Sequence, residues 1–392
     1  MNPLWLAIPS AAISALGVLM TRANLARFRP APPAPRPDGN DLPLISVCIP
    51  ARNEEANLEA CVRGVLASTG ANLEVLVYDD QSTDETPEIL ARLCEADARV
   101  RRVDTLALPE GWNGKQHACW RMAAAAKGQW LVFTDADVRF APECLSRAVA
   151  LGERDNLGLV SAFPRQLVGT LGEALAVPMI FFILLMYLPF GRMRSTLDPA
   201  ASAACGQFLC VRRDAYDASG GHQSFKDSMH DGVKMPRAIR RAGFKTDLFD
   251  ASDLLQCRMY QGAAQTWRGF AKNAFEGLGS LLLLTFLTLV HLLGYLLPWA
   301  ALALWRPLSP LAASLWAGAI LLAALQMNLI YARRLASGPT AATLLPRLLP
   351  ALGVATMSLI QWHSYLLHLT GRRSWRGRTL TAPVGECPVK TA

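Results

Sequence analysis

The sequence is poor in charge, and the shortage is concentrated in a few segments. Asp, Glu, Lys and Arg make up 18% of its 392 residues, whereas soluble proteins carry about 25%. Charge-free runs long enough to test as membrane spans cover residues 1–21, 174–191, 277–305, 307–332 and 348–371. We therefore predict a membrane protein whose charged, water-exposed domain lies in residues 22–173 and 192–276.

Three further absences narrow the class of protein. The nine cysteines include no Cys-x-x-Cys pair, which argues against a disulfide framework or a zinc site. There is no nucleic-acid-binding motif, so we expect no nucleic-acid partner. The net charge of +8 arises largely where arginines such as Arg22, Arg333 and Arg372 flank apolar runs, and such residues suit a membrane surface.

The first apolar run lacks the preceding positive charge of a cleaved signal peptide. Positive residues follow it instead, at Arg22, Arg27 and Arg29. The positive-inside rule then predicts an uncleaved anchor over residues 1–21 and a cytosolic location for the chain that follows it. The expected location is the inner (cytoplasmic) membrane, crossed several times. Prolines in residues 22–43 predict a stiff linker behind the anchor.

Strand-like and helical segments alternate after this linker. Apolar, strand-like runs occupy 44–50, 73–78, 100–104 and 130–134, and helical patterns occupy 54–67, 82–96 and 115–127. This alternation is typical of an α/β fold with a parallel sheet covered by helices on both faces. Ligands of such sheets bind at the carboxyl ends of the strands.

Acidic pairs stand at two of these strand ends. Asp135 and Asp137, one residue apart, are ligands that suit Mg²⁺ or Mn²⁺ bridging to phosphate oxygens. Asp79 and Asp80 can accept hydrogen bonds from a base or ribose. An aspartate-rich turn is the simpler explanation of either pair taken alone.

Two loops add groups that suit a phosphorylated ligand. Pro50-Ala-Arg-Asn-Glu54 opens a helix, whose backbone N–H groups can receive anionic or polar groups. Gly111-Trp-Asn-Gly-Lys115 is a flexible loop with one cation, suited to a diphosphate, although it lacks the spacing of a P-loop.

The order of PARNEE, DDQSTD, GWNGK and TDAD along the chain resembles the family-2 glycosyltransferases, membrane-bound members of which act on carotenoids or are associated with hopanoids. The resemblance implies a GT-A (Rossmann-like) nucleotide-sugar domain over residues 44–276 and an inverting hexosyltransferase. It implies that Asp137 binds the metal, Mg²⁺ or Mn²⁺, with Asp135 nearby. It also implies that the donor is bound by Pro50, Glu54, Asp79, Asp80, Lys115, Asp135 and Trp267.

The resemblance continues downstream to about residue 280. Residues 203–211 look like the acceptor-side strand, and Asp231 lies where the family places its general base. His230 stands where the family has an acid, and Asp231 is equally suited to capping a helix over 232–242. The family's Gln-x-x-Arg-Trp motif is only approximated, by Gln261 and Trp267.

The apolar run at residues 174–190 conflicts with a simple span. If it crossed the bilayer, Asp137 and Asp231 would lie on opposite sides, so we predict that it lies in the membrane interface or beneath the domain. Residues 277–370 are predicted to form C-terminal transmembrane helices, the last of which, 348–370, either crosses or is re-entrant. Residues 371–392 form a basic tail.

These observations favour a transferase acting on a lipid or lipid-linked acceptor. A processive polysaccharide synthase would need more spans and usually the full Gln-x-x-Arg-Trp motif. A catalytically inactive nucleotide-sugar-binding regulator remains an alternative because of His230. A transporter fits less well, since the apolar runs hold almost no ionisable residues. The sequence indicates no oligomeric state.

Overall fold

A computed structural model describes residues 3–34, 42–304, 309–372, 374–375 and 378–379. Part of the predicted linker (35–41) and nearly all of the basic tail beyond 372 lie outside these ranges.

The described residues form nine strands in one sheet, a separate two-stranded ribbon, and helices on both sides of the sheet. The strands are β1 Leu44–Ala51, β2 Asn72–Asp79, β3 Val100–Arg102, β4 Trp130–Thr134, β5 Val138–Phe140, β6 Leu157–Leu167, β7 Phe208–Arg212, β8 Lys245–Cys257, β9 Ala336–Ser337, and the ribbon strands β10 Ser374–Trp375 and β11 Arg378–Thr379.

The helices fall into a group around the sheet and a group of apolar helices. They are α1 Leu4–Arg27, α2 Leu58–Leu66, α3 Thr86–Ala96, α4 Gly114–Ala125, α5 Cys144–Arg154, α6 Leu171–Ala176, α7 Met179–Tyr187, α8 Phe190–Ser195, α9 Arg213–Ala218, α10 Asp231–Arg241, α11 Gly262–Ala271, α12 Ala274–Leu278, α13 Leu281–His291, α14 Leu297–Leu304, α15 Pro310–Ala332, α16 Thr340–Leu348 and α17 Pro350–Leu369.

The large sheet is mixed: the four strands predicted from the sequence are parallel, as expected, and the strands that follow them add antiparallel pairs. Its order is β3-β2-β1-β4-β7-β6-β8-β5, with β9 pairing β6. The first four strands are mutually parallel, but β7 runs antiparallel to both β4 and β6. The apolar strands β1, β2 and β4 are buried on both faces, as expected for the centre of an α/β sheet.

Two helices begin later than the sequence predicts because two loops bond to each other. Side chains of the 82–86 loop accept the backbone N–H groups of Asn53, Glu54 and Glu55, and Asn53 has a positive φ of 54°. These bonds hold the first loop out of helical geometry, so α2 starts at Leu58. The backbone N–H of Glu85 likewise donates to the Glu55 carboxylate at 3.1 Å, and α3 starts at Thr86.

Three candidate membrane spans occur among the described residues: Leu4–Arg27, Leu281–Leu304 and Pro310–Ala332. The first ends at Arg27 rather than near residue 21. The second contains a π-helical turn at Leu292–Leu296. α16 and α17 pass the same test only as a pair, and they meet at an angle of 89°.

The apolar segment at residues 174–190 is broken into α6, α7 and the start of α8. Phe181, Phe182 and Leu185 of α7 are completely buried, in a core that also contains residues of α1 and α15. The segment therefore lies between the sheet domain and the candidate spans, where burying a side chain such as phenylalanine contributes about 1.5–3 kcal/mol.

Polar side chains join the apolar helices to one another. The Tyr295 hydroxyl donates to Gln326 Oε1 at 2.7 Å, and Gln326 Nε2 donates to Thr21 at 2.9 Å. The Ser14 hydroxyl donates to the carbonyl of Gly294 at 2.7 Å. Such interhelical bonds typically stabilise membrane helix packing, so α1 and the two C-terminal spans form one bundle.

Candidate active site

The parallel register brings the carboxyl ends of β1 and β2 side by side. Ala51 lies opposite Asp79, and the backbone N–H of Asp80 donates to the carbonyl of Ala51 at 2.7 Å. Pro50 and Glu54 follow β1 at the same edge; Glu54 accepts from the side chain of Asn57 at 3.0 Å. The loops predicted to face the nucleotide therefore share one edge of the sheet.

Asp79 and Asp80 are both buried and each already has partners. Asp79 Oδ1 accepts the backbone N–H of Ser82 at 3.1 Å, which shapes the turn after β2. Arg52 donates to the carbonyl of Asp80 at 2.6 Å and lies 3.6 Å from its carboxylate. These contacts fix the turn, and carboxylate oxygens there remain suited to accept from a ribose or base.

The Gly-Trp-Asn-Gly-Lys loop leads directly into α4. Asn113 caps the helix, its side chain accepting from the backbone N–H of Lys115 at 3.0 Å. The backbone N–H of Asn113 donates to the carbonyl of Lys226 at 2.7 Å. These two bonds anchor the loop so that Lys115, in the first turn, points to the carboxyl end of β4.

Pairing of β4 with β7 brings the end of β4, which precedes Asp135, next to the turn that precedes β7. Thr134 lies opposite Phe208, and its hydroxyl donates to the carbonyl of Gln207 at 2.8 Å. The start of α10 rests on this same turn, because the backbone N–H of Ala204 donates to the carbonyl of Gly232 at 2.7 Å. A Cβ at Gly206 would overlap Oδ1 of Asp231, so a larger residue there would displace the Asp231 carboxylate.

Lys115 bridges the two predicted functional carboxylates. Its Nζ lies 2.7 Å from Asp135 Oδ1 and 2.9 Å from Asp231 Oδ2. Asp231 is the first residue of α10, and its Oδ1 accepts the backbone N–H of Gly232 at 2.7 Å. The carboxylate therefore interacts with the start of its helix and with Lys115 at the same time.

The ion pair between Lys115 and Asp231 determines the ionisation of both side chains. Burial by itself would raise the pKa of Asp231, but the adjacent Lys115 ammonium outweighs it and holds that pKa below its usual value. Burial likewise opposes the charge of Lys115, and Asp135 and Asp231 raise its pKa well above normal. Lys115 and Asp231 therefore form a charged pair, and Asp135 is the second partner of the ammonium.

Asp137 has a different environment from Asp135. Burial, followed by the negative charges of Asp135 and Glu54, raises the pKa of Asp137 to about 7. The thiol of Cys257 hydrogen-bonds to this carboxyl and accepts from Gln207 Nε2 at 2.9 Å. Oδ1 of Asp137 is buried with no hydrogen-bond partner, which is costly unless a ligand satisfies it.

Asp135 and Asp137 fit a hard divalent cation. Both offer carboxylate oxygens, the ligands that Mg²⁺ and Mn²⁺ prefer, and the unpaired Asp137 oxygen is available as a ligand. Within the part of the chain that the structure describes, no three His, Cys, Asp or Glu side chains are grouped so as to hold a metal ion by themselves. Remaining ligands would come from phosphate and water, as is usual for Mg²⁺.

Trp267 and His230, both singled out in the sequence, contact residues nearer the C-terminus. The indole N–H of Trp267 donates to His363 Nδ1 at 2.9 Å, so Trp267 packs between α11 and α17 in a cluster with Ala271 and Ile360. Its predicted role in donor binding stays a prediction. Burial lowers the pKa of His230, and its Nε2 faces Gly277, where a Cβ would come within 2.8 Å.

Sequence patterns missed several residues of the site. Gly206 and Gln207 fall within the 203–211 segment and could have been singled out as the turn opposite Asp135. Cys257 and Glu276 belong to no recognisable motif, and only their contacts with Asp137 and with the loop before Asp231 identify them.

Comparisons with known proteins agree with this arrangement. The profile of glycosyl transferase family 2 matches residues 46–220. The 4,4'-diaponeurosporenoate glycosyltransferase of Staphylococcus haemolyticus is 29% identical over 248 residues, 62% of this chain and 64% of that protein. Its counterpart in Staphylococcus aureus is 30% identical over 244 residues, 60% of this chain and 62% of that protein. The match thus spans somewhat less than two thirds of these relatives.

A solved structure extends the likeness to the fold of nearly the whole chain. The mannosyltransferase of Pyrobaculum calidifontis, in complex with GDP-Man and Mn²⁺, superposes with a TM-score of 0.56 at 21% identity, covering 93% of this chain and 98% of that one. The predicted GT-A-type α/β domain with apolar N- and C-terminal helices is thereby confirmed. Residues 46–220 are thus similar to the glycosyl transferase family 2 domain.

Proposed function

We propose that this protein transfers a sugar, with inversion and with a divalent metal, from a nucleotide-diphosphate sugar to a lipid or lipid-linked acceptor at the membrane. The observation that carries the proposal is the Lys115 bridge, because it joins Asp135, beside the metal-binding position, to Asp231 at 2.7 and 2.9 Å. An in-line displacement requires that the leaving group and the acceptor lie at one site, and this ion-paired group of side chains would provide it.

The donor side uses the edge formed by β1, β2 and β4. Asp79, Asp80 and the turn at Pro50 and Glu54 receive the nucleoside, and Lys115 contacts the diphosphate while it keeps its ion pair with Asp231. A divalent metal held by Asp135 and Asp137 would stabilise the charge on the leaving nucleoside diphosphate. The mannosyltransferase solved with GDP-Man and Mn²⁺ supports both a nucleotide sugar and a divalent ion.

The acceptor side uses Asp231. As the acceptor hydroxyl oxygen bonds to the anomeric carbon and the bond from that carbon to the diphosphate oxygen breaks, Asp231 takes the hydroxyl proton. Such general-base help contributes roughly 10²–10⁴-fold. Lys115 keeps Asp231 ionised and therefore able to accept a proton. An acceptor carboxylate would already be ionised and would need this help less.

A lipid acceptor is supported by the surroundings of the domain and by its relatives. The apolar segment under the sheet packs against candidate spans α1 and α15, which would hold the site close to a bilayer. The curated relatives are named for a carotenoid substrate, 4,4'-diaponeurosporenoate. We propose a multi-pass protein of the cytoplasmic membrane with its catalytic domain in the cytosol.

The alternatives are weaker on specific grounds. A processive polysaccharide synthase needs a channel, whereas the described residues offer three candidate spans, or four with the bent pair. An inactive regulator would not need the Asp231–Lys115–Asp135 arrangement.

The deciding experiment is nucleotide release by full-length protein in detergent. UDP- and GDP-sugars would be offered with Mg²⁺ or Mn²⁺ and a total lipid extract. We expect metal-dependent release and lipid glycosylation, both lost in Asp137→Ala. Asp231→Asn should bind donor normally but transfer to hydroxyl acceptors roughly 10²–10⁴-fold more slowly. Asp217→Asn, an exposed carboxylate, serves as control.

Two results would contradict the proposal in different ways. Donor binding without any release by the wild-type protein would favour the inactive regulator. Full turnover of a hydroxyl acceptor by Asp231→Asn would remove the base assignment while leaving the transferase activity intact.

A further inference from the structure

The three residues before Asp231 are held by a carboxylate from a distant part of the chain. Glu276 Oε1 accepts the hydroxyl of Ser228 at 2.5 Å and the backbone N–H of Met229 at 3.1 Å. The Ser228 hydroxyl oxygen in turn accepts the backbone N–H of His230 at 3.0 Å. One carboxylate oxygen therefore satisfies, directly or through Ser228, the two N–H groups immediately ahead of Asp231.

The helix that carries Glu276 is itself anchored on both sides. The backbone N–H of Phe275 donates to the Ser364 hydroxyl of α17 at 2.9 Å. On the other side, Gly277 lies so close to His230 that a Cβ there would come within 2.8 Å of its Nε2. α12, which is itself bonded to α17, thus holds residues 228–230 in place. We call these contacts of α12 with residues 228–230 the clamp.

We propose that Glu276 is a positioning residue for Asp231, acting through Ser228 and Met229. By fixing the chain ahead of α10, it keeps the Asp231 carboxylate directed at Lys115. This inference rests on the proposed role of Asp231 as base and deepens it. Displacing a reacting group by about 1 Å can cost on the order of 10²-fold in rate, so loss of the clamp acts on turnover.

The clamp acts on the acceptor side of the site and not on the donor side. The bonds of Glu276 named above go to Ser228 and Met229, whereas the groups proposed to hold the donor follow β1, β2 and β4. α12 also leads, through Gly279 with φ 75° and the capping residue Ser280, into the span that starts at Leu281. The base is thereby linked mechanically to the first C-terminal span.

The test compares two substitutions in the full-length protein. Glu276→Ala removes the acceptor oxygen, whereas Glu276→Gln keeps a carbonyl oxygen for Ser228 and Met229. We expect Glu276→Ala to lower kcat about 10- to 100-fold with the donor KM and the Mn²⁺-dependent donor affinity unchanged. Glu276→Gln should recover most of kcat, and Glu88→Ala, an exposed carboxylate on α3, should match wild type.

Backbone hydrogen exchange of residues 228–232 gives a second readout that does not need turnover. Exchange should accelerate in Glu276→Ala and return to the wild-type rate in Glu276→Gln. Unchanged exchange would overturn the inference, as would an unchanged kcat, a parallel loss of donor affinity, or a glutamine variant as impaired as the alanine variant. If the wild type transfers no sugar at all, the proposed function fails, and the exchange rates still decide whether Glu276 holds this segment.

Discussion

Lys115 controls the ionisation of the carboxylate beside it. Asp231 is surrounded by protein, which favours its neutral form, and the neighbouring ammonium at 2.9 Å is the main group that reverses this preference and lowers its pKa. The same ammonium bonds Asp135 at 2.7 Å. A diphosphate bound by Lys115, as proposed, would compete with both carboxylates for this ammonium, so we expect donor binding and the charge of Asp231 to be coupled.

Replacing Lys115 should therefore change how the rate depends on pH. In Lys115→Met, burial acts on Asp231 without an opposing cation, so its pKa rises. Asp231, the proposed base, is then protonated at a higher pH, and the acidic limb of the kcat/KM profile moves to higher pH. Lys115→Arg keeps the charge and should leave the limb near its wild-type position. An acidic limb that does not move in the methionine variant would contradict this coupling.

At the scale of single elements, a buried carboxylate joins the starts of α6 and α11. Glu173 is completely buried and accepts the backbone N–H groups of Gly169 at 2.6 Å and Gly262 at 2.7 Å. Arg258 pairs with it at 3.2 Å. Burial opposes the charge of Glu173, but Arg258 and these N–H groups outweigh burial and lower its pKa.

This junction should contribute to stability in a pH-dependent way. Because its folded-state pKa is depressed, Glu173 stabilises the fold above the usual glutamate pKa, and the contribution disappears as the pH falls through the folded-state value. Glu173→Gln should cost about 1–3 kcal/mol at pH 7 and lower Tm.

The measurement is a thermal melt of the detergent-solubilised protein at several pH values. Glu153→Gln, an exposed carboxylate on α5, is the control and should melt as wild type does. If Glu173→Gln melted at the wild-type temperature at pH 7, the junction would not be a significant source of stability.

At the scale of the whole molecule, α17 lies along the catalytic domain. Near its start, Gly353 approaches Leu175 and Met179. Near its end, Ser364 bonds Phe275 at 2.9 Å and His363 bonds Trp267 at 2.9 Å. Both ends of α17 therefore contact elements of the domain at residues 44–276. In addition, α16 meets α17 at an angle of 89°. A re-entrant or interfacial helix fits these contacts better than a crossing one.

The contacts of α17 predict the side of the membrane on which the basic tail, residues 371–392, begins. A cysteine at Arg372, in a background lacking Cys94 and Cys387, should react with an impermeant maleimide from the same side as a cysteine at Glu88. A cysteine at Ser309, between the two spans of the C-terminal hairpin, should react from the opposite side. Labelling of position 372 together with position 309 would mean that α17 crosses the bilayer. The positive-inside rule agrees with the first outcome.

Much of the fold could be predicted from the sequence because it depends on local patterns. Charge-free runs mark the apolar helices, and strands β1, β2 and β4 are short apolar segments followed by turn residues. Asp79, Asp80 and Asp135 stand where these strands end, so their placement at one sheet edge follows from parallel strand pairing.

Only the tertiary structure decided how the two halves of the site meet. The reversed direction of β7 has no local signature, yet it places Gly206 and Gln207 beside Thr134 and so brings Asp231 to Lys115. The contacts of Cys257 and Glu276 join residues tens to more than a hundred positions apart. Such contacts arise from the packing of whole elements, which no short stretch of sequence encodes by itself.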